Sequence, residues 1–329
     1  MYKSKSTAIF AKISIICCSI LLISCQQQSV QQFEGSIFGT VYHISYVGEY
    51  DSRLPKQVDS VMNTINTTFS IFDTTSLIFR INQGENIKPN EDFLKILNLS
   101  LRVNQETQGA FECTIQPLIE LWGFGRENQK KVVAQAQIDS VKQFVGSEHI
   151  HIQGDQIIKK DSRTQFNFNA IAKGYAVDKV AQFLKKSGHE NCLVEIGGEI
   201  VALGSKNGKA WRIGIQTPTE TADGAIDSDE SFELQNRAVA TSGNYRNFFE
   251  QDGQRYTHIL NPVTGKPETT KLLSVTVIAP DCATADAYAT AFMVLGLDKS
   301  SAIVKQHAEL EAWFIHSENG KLKTTKVTK

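Results

Sequence analysis

Apolar and polar residues alternate in several short runs of the chain, and this alternation predicts β-strands. Residues 40–46 alternate with the period of two that is typical of a strand with one buried face. Similar runs predict further strands, which lie at residues 149–152, 156–159, 193–196, 211–216, 238–241, 273–278 and 312–316. The predicted strands are therefore spread over most of the chain.

Apolar residues with helical spacing lie between these strands. In residues 56–68 apolar side chains recur three and four positions apart, and residues 91–106 repeat this pattern. Two further helices are predicted after Ala170 and after Ala283. Since no Pro/Gly/Ser-rich linker divides the chain, we expect one mixed α/β (α+β) catalytic domain, with central mixed sheets flanked by helices. Residues 217–231 are rich in Asp, Glu, Thr and Ser, which predicts a solvated surface loop.

The composition is that of a soluble globular protein, and it excludes one class of partner. The chain has 34 Lys and Arg against 35 Asp and Glu, a formal net charge of −1, and 41% hydrophobic residues. A nucleic-acid-binding protein needs a basic surface to neutralise phosphates, which this charge balance does not supply. We therefore expect no nucleic-acid partner.

Residues 1–24 have the pattern of a secretory signal peptide. They contain Lys3, Lys5 and Lys12 but no acidic residue. The apolar run at 13–23 is too short to span a bilayer comfortably. We therefore predict that the protein is exported.

The end of this segment resembles the lipobox of bacterial lipoproteins, because Leu, Ile and Ser precede Cys25 and a polar stretch follows it. A plain secretory signal that is cut at a small residue is the alternative. The prediction is a signal peptide at 1–24, a lipidated Cys25 with a tether at 25–32, and a catalytic domain at 33–329. Such a protein would be anchored to the membrane by lipid.

The three cysteines beyond this region, Cys113, Cys192 and Cys282, lie far apart and lack the C-x-x-C spacing of a zinc or redox site. We expect them to be small buried apolar residues. A disulfide between two of them remains open, since the sequence cannot choose the pair.

Two glycine-containing regions are candidates for a ligand wall. Glycine in residues 35–40 allows close approach of the backbone to a ligand, with a turn or β-bulge as the alternative. Residues 107–118 and 121–125 place aromatic residues among glycines. That arrangement suits a planar ring, although core packing explains it equally well.

Lys173 is predicted to lie in the first turn of the helix after Ala170. A cation there opposes the helix dipole, so the position favours an anionic ligand such as a phosphate or pyrophosphate. A solvated surface lysine is the alternative.

Two other segments carry residues of catalytic type. His258 comes directly before a turn at 261–265, where a structural role as a hydrogen-bonding group is the alternative to catalysis. Asp286 and Thr290 are four residues apart on a predicted helix, so both point the same way. Hard oxygen ligands of this kind suit Mg²⁺, although an Asp near a helix start is usually a cap.

Six segments, taken in chain order, resemble the ApbE family of FAD:protein FMN transferases, or flavin transferases. They are residues 35–40, 109–114, 170–178, 195–199, 258–265 and 285–290. The resemblance covers nearly the whole chain after the signal peptide, and the exported lipoproteins of the family agree with the prediction for Cys25.

The resemblance implies an activity and its participants. Mg²⁺-dependent cleavage of the FAD pyrophosphate would pass FMN to a Thr or Ser hydroxyl of a partner protein and release AMP. The family points to exported or membrane acceptors, such as subunits of membrane redox complexes, at the periplasmic face of the inner membrane. Two alternatives remain open, a FAD pyrophosphatase that releases FMN and AMP, and a lipoprotein that binds FAD without cleaving it.

The resemblance also implies roles for individual residues. Metal ligands would be the Ala170 carbonyl, the Asp286 carboxylate and Thr290, and His258 would accept the proton of the acceptor hydroxyl. The implied flavin contacts are Phe38, Phe72, Ala110, Phe111, Glu112, Asn167, Lys173 and Leu260. The chain departs from the commonest family pattern at Asn167 and Asn261, where Asp is frequent, at Glu112, where Asp is usual, and at Phe38, where Met is common.

Overall fold

The computed structural model describes residues 28–126, 129, 131–216, 226–244, 248–251, 254–269, 272–318 and 321–329. The predicted signal peptide and Cys25 lie outside these residues. The first strand begins at Val30, so the end of the predicted 25–32 tether is already part of a strand. Among the described residues, no helix has the length and apolar character needed to cross a bilayer.

The strands of the described chain are β1 (Val30–Ile37), β2 (Thr40–Val47), β3 (Ile150–Gln153), β4 (Gln156–Lys159), β5 (Cys192–Ile196), β6 (Glu199–Leu203), β7 (Trp211–Gln216), β8 (Ile226–Leu234), β9 (Arg237–Gly243), β10 (Phe248–Gln251), β11 (Gln254–Thr257), β12 (Leu260–Asn261), β13 (Lys266–Pro267), β14 (Leu272–Ala279), β15 (Glu311–Glu318) and β16 (Lys321–Val327). The helices are α1 (Leu54–Phe69), α2 (Leu77–Asn82), α3 (Glu91–Glu106), α4 (Gln116–Leu121), α5 (Gln135–Lys142), α6 (Ala172–Lys186) and α7 (Cys282–Gln306).

An eight-stranded sheet organises the fold, in the order β1-β2-β5-β6-β9-β14-β15-β16. Each neighbouring pair of strands in this sheet is antiparallel, so the sheet is antiparallel and not mixed. Helices α6 and α7 pack on one face, where the largest hydrophobic core lies. The β7–β8 hairpin covers a smaller core on the other face, around Trp211 and Ile278. The predicted α+β class is confirmed.

Elements with strong local signals lie where they were predicted. Helix α3 has the predicted bounds because Asn90 caps it, with its side chain accepting the N–H of Phe93, and because acidic residues fill its first turn. The predicted strand at 40–46 and helix at 56–68 lie within β2 and α1. The three cysteines Cys113, Cys192 and Cys282 are buried free thiols, as expected.

The loop predicted at 217–231 is wrong from Ile226 onward, and residues 217–225 lie outside the described residues. Strand β8 begins at Ile226 and pairs with β7, in a register that opposes Leu234 to Trp211. Hydrogen bonding with a neighbouring strand outweighs the polar composition of this segment, and such pairing cannot be seen in a local pattern.

Candidate functional site

A cavity of about 380 Å³ opens between the N-terminal ends of α6 and α7, the end of β9 and the loops that precede α4, α6 and β12. Its lining contains the predicted site residues Ala110, Phe111, Glu112, Asn167, Ala170, Lys173, His258, Leu260, Asp286 and Thr290. The structure therefore brings together all but two of the predicted residues of the domain. Phe38 and Phe72 line a neighbouring pocket of about 430 Å³, which shares Lys173 and Asn169 with the cavity.

Helices α6 and α7 cross closely at Gly174, beside this cavity. A Cβ atom at residue 174 would lie 2.3 Å from the carbonyl oxygen of Cys282, so only glycine fits there. The contact brings the N-terminal turns of both helices together. Each helix then offers a buried carboxylate to backbone N–H groups of the other.

The two carboxylates are satisfied to different degrees. Asp178 of α6 accepts the N–H groups of Cys282 and Ala283, at 2.8 and 2.9 Å, and so caps the start of α7. Asp286 of α7 accepts one N–H, from Gly174, at 3.1 Å through Oδ2. Both side chains are buried, but only Asp286 lines the cavity.

Oxygen atoms suited to a hard cation line the same cavity as Asp286. The N–H of Gly174 donates to Asp286, and among the described residues no hydrogen bond ends on the Ala170 carbonyl oxygen, four positions before Gly174. The hydroxyl of Thr290 lies 3.1 Å from the Ser242 hydroxyl, which also lines the cavity. Burial raises the pKa of Asp286, and the Lys173 charge and the Gly174 N–H oppose this effect.

This donor set fits Mg²⁺. The described residues contain no group of three or more His, Cys, Asp or Glu side chains that could hold a metal ion. Mg²⁺ does not require one, because it usually binds through one or two carboxylates and keeps waters and substrate phosphates in its remaining positions. Asp286, Ala170 and Thr290 are therefore the residues that could hold it.

Lys173 lies in the first turn of α6, as predicted, and its partner is Glu199. Its Nζ lies 2.5 Å from Glu199 Oε2, and the Glu199 side chain is 2% exposed. Glu199 follows the two-residue turn Gly197-Gly198, in which both glycines have positive φ. Burial raises the pKa of Glu199, and the charge of Lys173, with which it forms an ion pair, opposes this effect. Burial alone would lower the pKa of Lys173, but the charges of Glu199 and Asp286 raise it.

The aromatic residues divide between ligand-facing and core positions. Phe38 lies in the tight β1–β2 turn with a φ of 53°. Residues 35–40 therefore contain a turn, which was the alternative to a ligand contact. Phe72 is 61% exposed at the neighbouring pocket. Phe111 is buried and also lines the cavity, so it both packs in the core and forms part of the cavity wall. Trp122 instead packs in a separate core and donates its indole N–H to the Gly265 carbonyl.

Glu112 and Asn167 line the cavity but are held by the protein itself. The Glu112 carboxylate accepts hydrogen bonds from Asn104, Thr114 and Ser147, which tie three segments together. Burial raises the pKa of Glu112, and the hydrogen bonds from Thr114 and Ser147 oppose that shift. Asn167 donates to Gln116 at 2.6 Å and accepts the N–H of Asn169 at 2.8 Å.

His258 is exposed and lines the cavity, just before β12. The turn that follows is fixed by Asn261, whose Oδ1 accepts the N–H groups of Val263 and Thr264. Asn261 therefore has a structural role in this chain that does not require a carboxylate. The sequence had left His258 between a catalytic and a structural role, and its position on the cavity wall is compatible with catalysis.

No individual role was predicted for several residues that the cavity contains, namely Asn169, Gly197, Glu199, Thr241, Ser242 and Gly243. Glu199 stood within a recognised segment, at 195–199, but nothing local shows that its partner would be Lys173. A glutamate directly after two glycines was the available signal.

A family model for the ApbE family matches residues 38–314. The chain belongs to the ApbE family. The FAD:protein FMN transferase of Vibrio cholerae is 36% identical over 296 residues, which cover 87% of this chain and 88% of that protein. The FAD:protein FMN transferase of Escherichia coli is 30% identical over 336 residues, which cover 96% and 95%. The predicted enzyme class, a transferase, is confirmed by these ApbE relatives.

Solved ApbE structures have the same fold. The flavin transferase ApbE from Vibrio cholerae matches with a TM-score of 0.82 at 33% identity, covering 91% of this chain and 97% of that chain. The apo form of the Pseudomonas stutzeri flavinyl transferase ApbE matches with a TM-score of 0.82 at 34% identity, covering 92% and 95%.

Proposed function

We propose that this ApbE protein is a FAD:protein FMN transferase, which passes FMN from FAD to a Thr or Ser hydroxyl of an exported acceptor protein and releases AMP. Its relatives at 30–36% identity carry that name. The observation that carries the proposal is one cavity in which Asp286, the Ala170 carbonyl, Lys173 and His258 converge.

The chemistry of phosphoryl transfer matches this set of groups. The acceptor oxygen forms a bond to the FMN phosphorus, and the bond from that phosphorus to the oxygen of the AMP phosphate breaks. Such a reaction depends on positioning and charge neutralisation more than on covalent help from the enzyme. Mg²⁺ held by Asp286, the Ala170 carbonyl and Thr290 would neutralise the charge of the pyrophosphate.

The remaining residues bind and orient the substrate. Lys173 extends into the cavity from the first turn of α6, where its ammonium group offsets phosphate charge. His258 takes the proton of the acceptor hydroxyl as the new bond forms. Phe38, Phe72, Ala110, Phe111, Glu112, Asn167 and Leu260 form the walls against which the flavin and its ribityl chain lie.

The direct test is to incubate the protein with FAD, Mg²⁺ and an exported candidate acceptor, and to follow both AMP and covalent flavin fluorescence on a denaturing gel. We expect a fluorescent acceptor band and AMP, and loss of both in EDTA. Free FMN and AMP with no labelled acceptor would instead identify a FAD pyrophosphatase. FAD binding with no AMP would identify a protein that only binds FAD.

We also propose that the protein is a lipoprotein anchored through Cys25 to the periplasmic face of the inner membrane, where it meets acceptors in membrane redox complexes. Lys3, Lys5 and Lys12, the short apolar run and the lipobox-like end of the segment support this. Cys25→Ser should leave an uncleaved precursor or release the protein from the membrane fraction. Normal maturation and membrane retention of that variant would reject the anchor.

A further inference from the structure

The Glu199 carboxylate is a buried charge without a role in the reaction described above. Its side chain is 2% exposed and forms an ion pair with Lys173, whose Nζ lies 2.5 Å from Glu199 Oε2. Burying an ion pair usually costs about as much free energy as the pair returns, so stability alone is a weak reason for a glutamate at this position. Its place on the cavity wall suggests that the charge serves the ligand instead.

The charges that line the cavity leave an excess of negative charge. Lys173 is accompanied by both Glu199 and Asp286, and the Glu112 carboxylate is already held by Asn104, Thr114 and Ser147. His258 also lines the cavity. A cavity of this charge attracts a divalent cation and repels a bare pyrophosphate.

Glu199 also determines where Lys173 can pair. The Lys173 ammonium interacts electrostatically with Asp286 as well as with Glu199. Without Glu199, Asp286 would be the remaining buried carboxylate for Lys173 to approach, and that pairing would occupy the group that could hold the metal. The hydrogen-bonded contact with Glu199 keeps the ammonium group on the β6 side of the cavity.

We propose that Glu199 is a positioning residue, which holds Lys173 away from Asp286 and makes FAD bind together with a divalent cation rather than alone. The inference rests on the proposed function, since it takes FAD and a divalent cation as the ligands of this cavity. In this proposal Glu199 couples the binding of FAD to the binding of the divalent cation.

The test is a set of FAD titrations, followed by flavin fluorescence, with EDTA and with increasing Mg²⁺. Glu199→Gln keeps the shape of the side chain and removes its charge. We expect this variant to bind FAD alone about tenfold more tightly and to need about tenfold more Mg²⁺ for the half-maximal effect on FAD binding. These opposite signs separate the proposed role from a structural one, which would weaken both.

Four further variants complete the experiment. Glu199→Asp keeps the charge and should retain the wild-type dependence on Mg²⁺. Lys173→Met should bind FAD alone more weakly, and adding Glu199→Gln to it should change Mg²⁺ dependence less than in the wild type. Glu311→Gln is the matched control, because it breaks another partly buried ion pair, with Arg237, away from the cavity. It should leave both titrations unchanged.

Four results would overturn the proposal. Unchanged FAD and Mg²⁺ affinities in Glu199→Gln, or weaker binding of both in step with a lower melting temperature, would show that Glu199 only supports the fold. If Glu199→Gln does not fold, unchanged metal-free FAD affinity in Lys173→Met overturns it instead. Failure of the wild type to bind FAD at all would overturn the proposed function, and this inference with it.

Discussion

Asp178 and Asp286 lie on the two facing helices of one contact, and they differ in how many of their oxygen lone pairs the protein already uses. Both are buried carboxylates, and each accepts backbone N–H groups from the facing helix. Asp178 accepts two and faces the interior, whereas Asp286 accepts one and faces the cavity. The same residue type therefore serves as a helix cap in one place and as a candidate metal ligand in the other.

The difference shows that burial and an altered pKa do not by themselves identify a functional carboxylate. Burial raises the pKa of Asp178 to about 7, with a contribution from the nearby charge of Asp281, and its two N–H partners oppose the shift. Burial raises the pKa of Asp286 as well. What separates the two is the number of oxygen lone pairs that the fold leaves available beside a cavity.

The largest effect is expected for Asp286→Asn. The substitution keeps the size of the side chain but removes the charge, so turnover should fall by about three orders of magnitude or more. AMP release from FAD with Mg²⁺ measures this loss, and thermal unfolding provides the control. Near-normal turnover would show that Asp286 is another structural carboxylate.

His258→Gln tests the proposed general base, which also lines the cavity. General-base help is typically worth about 10² to 10⁴ in rate, so single-turnover transfer at saturating FAD should slow by about 10² or more. FAD affinity and melting temperature should remain close to those of the wild type. Loss of either, with a normal transfer rate at saturation, would make His258 a structural or flavin-binding residue.

Gly174→Ala acts on the helix contact itself. Its new methyl group would meet the Cys282 carbonyl, so the helices must separate, at a cost of about 2–3 kcal/mol in the free energy of unfolding. Chemical denaturation measures this cost. Gly188→Ala is a control for the loss of a glycine, since a Cβ there would meet no atom within 4 Å, although its positive φ adds some strain. A cost well below about 1 kcal/mol for Gly174→Ala would contradict a close contact at this position.

The smallest effect is expected for Asp178→Asn, and it depends on pH. Because the pKa of Asp178 is raised in the folded state from 3.8 to about 7, its ionisation disfavours folding, and wild-type stability should fall between about pH 4 and pH 7. The asparagine variant lacks this dependence and loses part of the cap, about 1–2 kcal/mol. The difference in the free energy of unfolding between the wild type and Asp178→Asn should therefore become smaller as the pH rises.

Urea denaturation of both proteins across this pH range measures the difference. Parallel stability profiles would show that Asp178 does not titrate in the window. Turnover per folded molecule should stay close to that of the wild type, because Asp178 does not line the cavity.

Local sequence signals predicted many of the elements and could not predict their partners. The helix at 91–106 was predicted with its bounds, since its apolar spacing and first-turn acids are local. The start of β8 was missed because it depends on pairing with β7. Asp286 was selected from its spacing to Thr290, whereas Glu199 depends on Lys173, which lies on a different element. The cap that Asp178 forms on α7 joins residues more than a hundred positions apart.

We propose that Asp286, and not Asp178, holds a divalent cation at the FAD pyrophosphate. Mn²⁺ in place of Mg²⁺ allows this to be measured directly, by electron paramagnetic resonance of metal bound in the presence of FAD. Wild type and Asp178→Asn should bind Mn²⁺ with FAD to a similar extent, and Asp286→Asn should lose that binding while remaining folded. Undiminished Mn²⁺ binding by Asp286→Asn, or its loss in folded Asp178→Asn, would contradict the assignment.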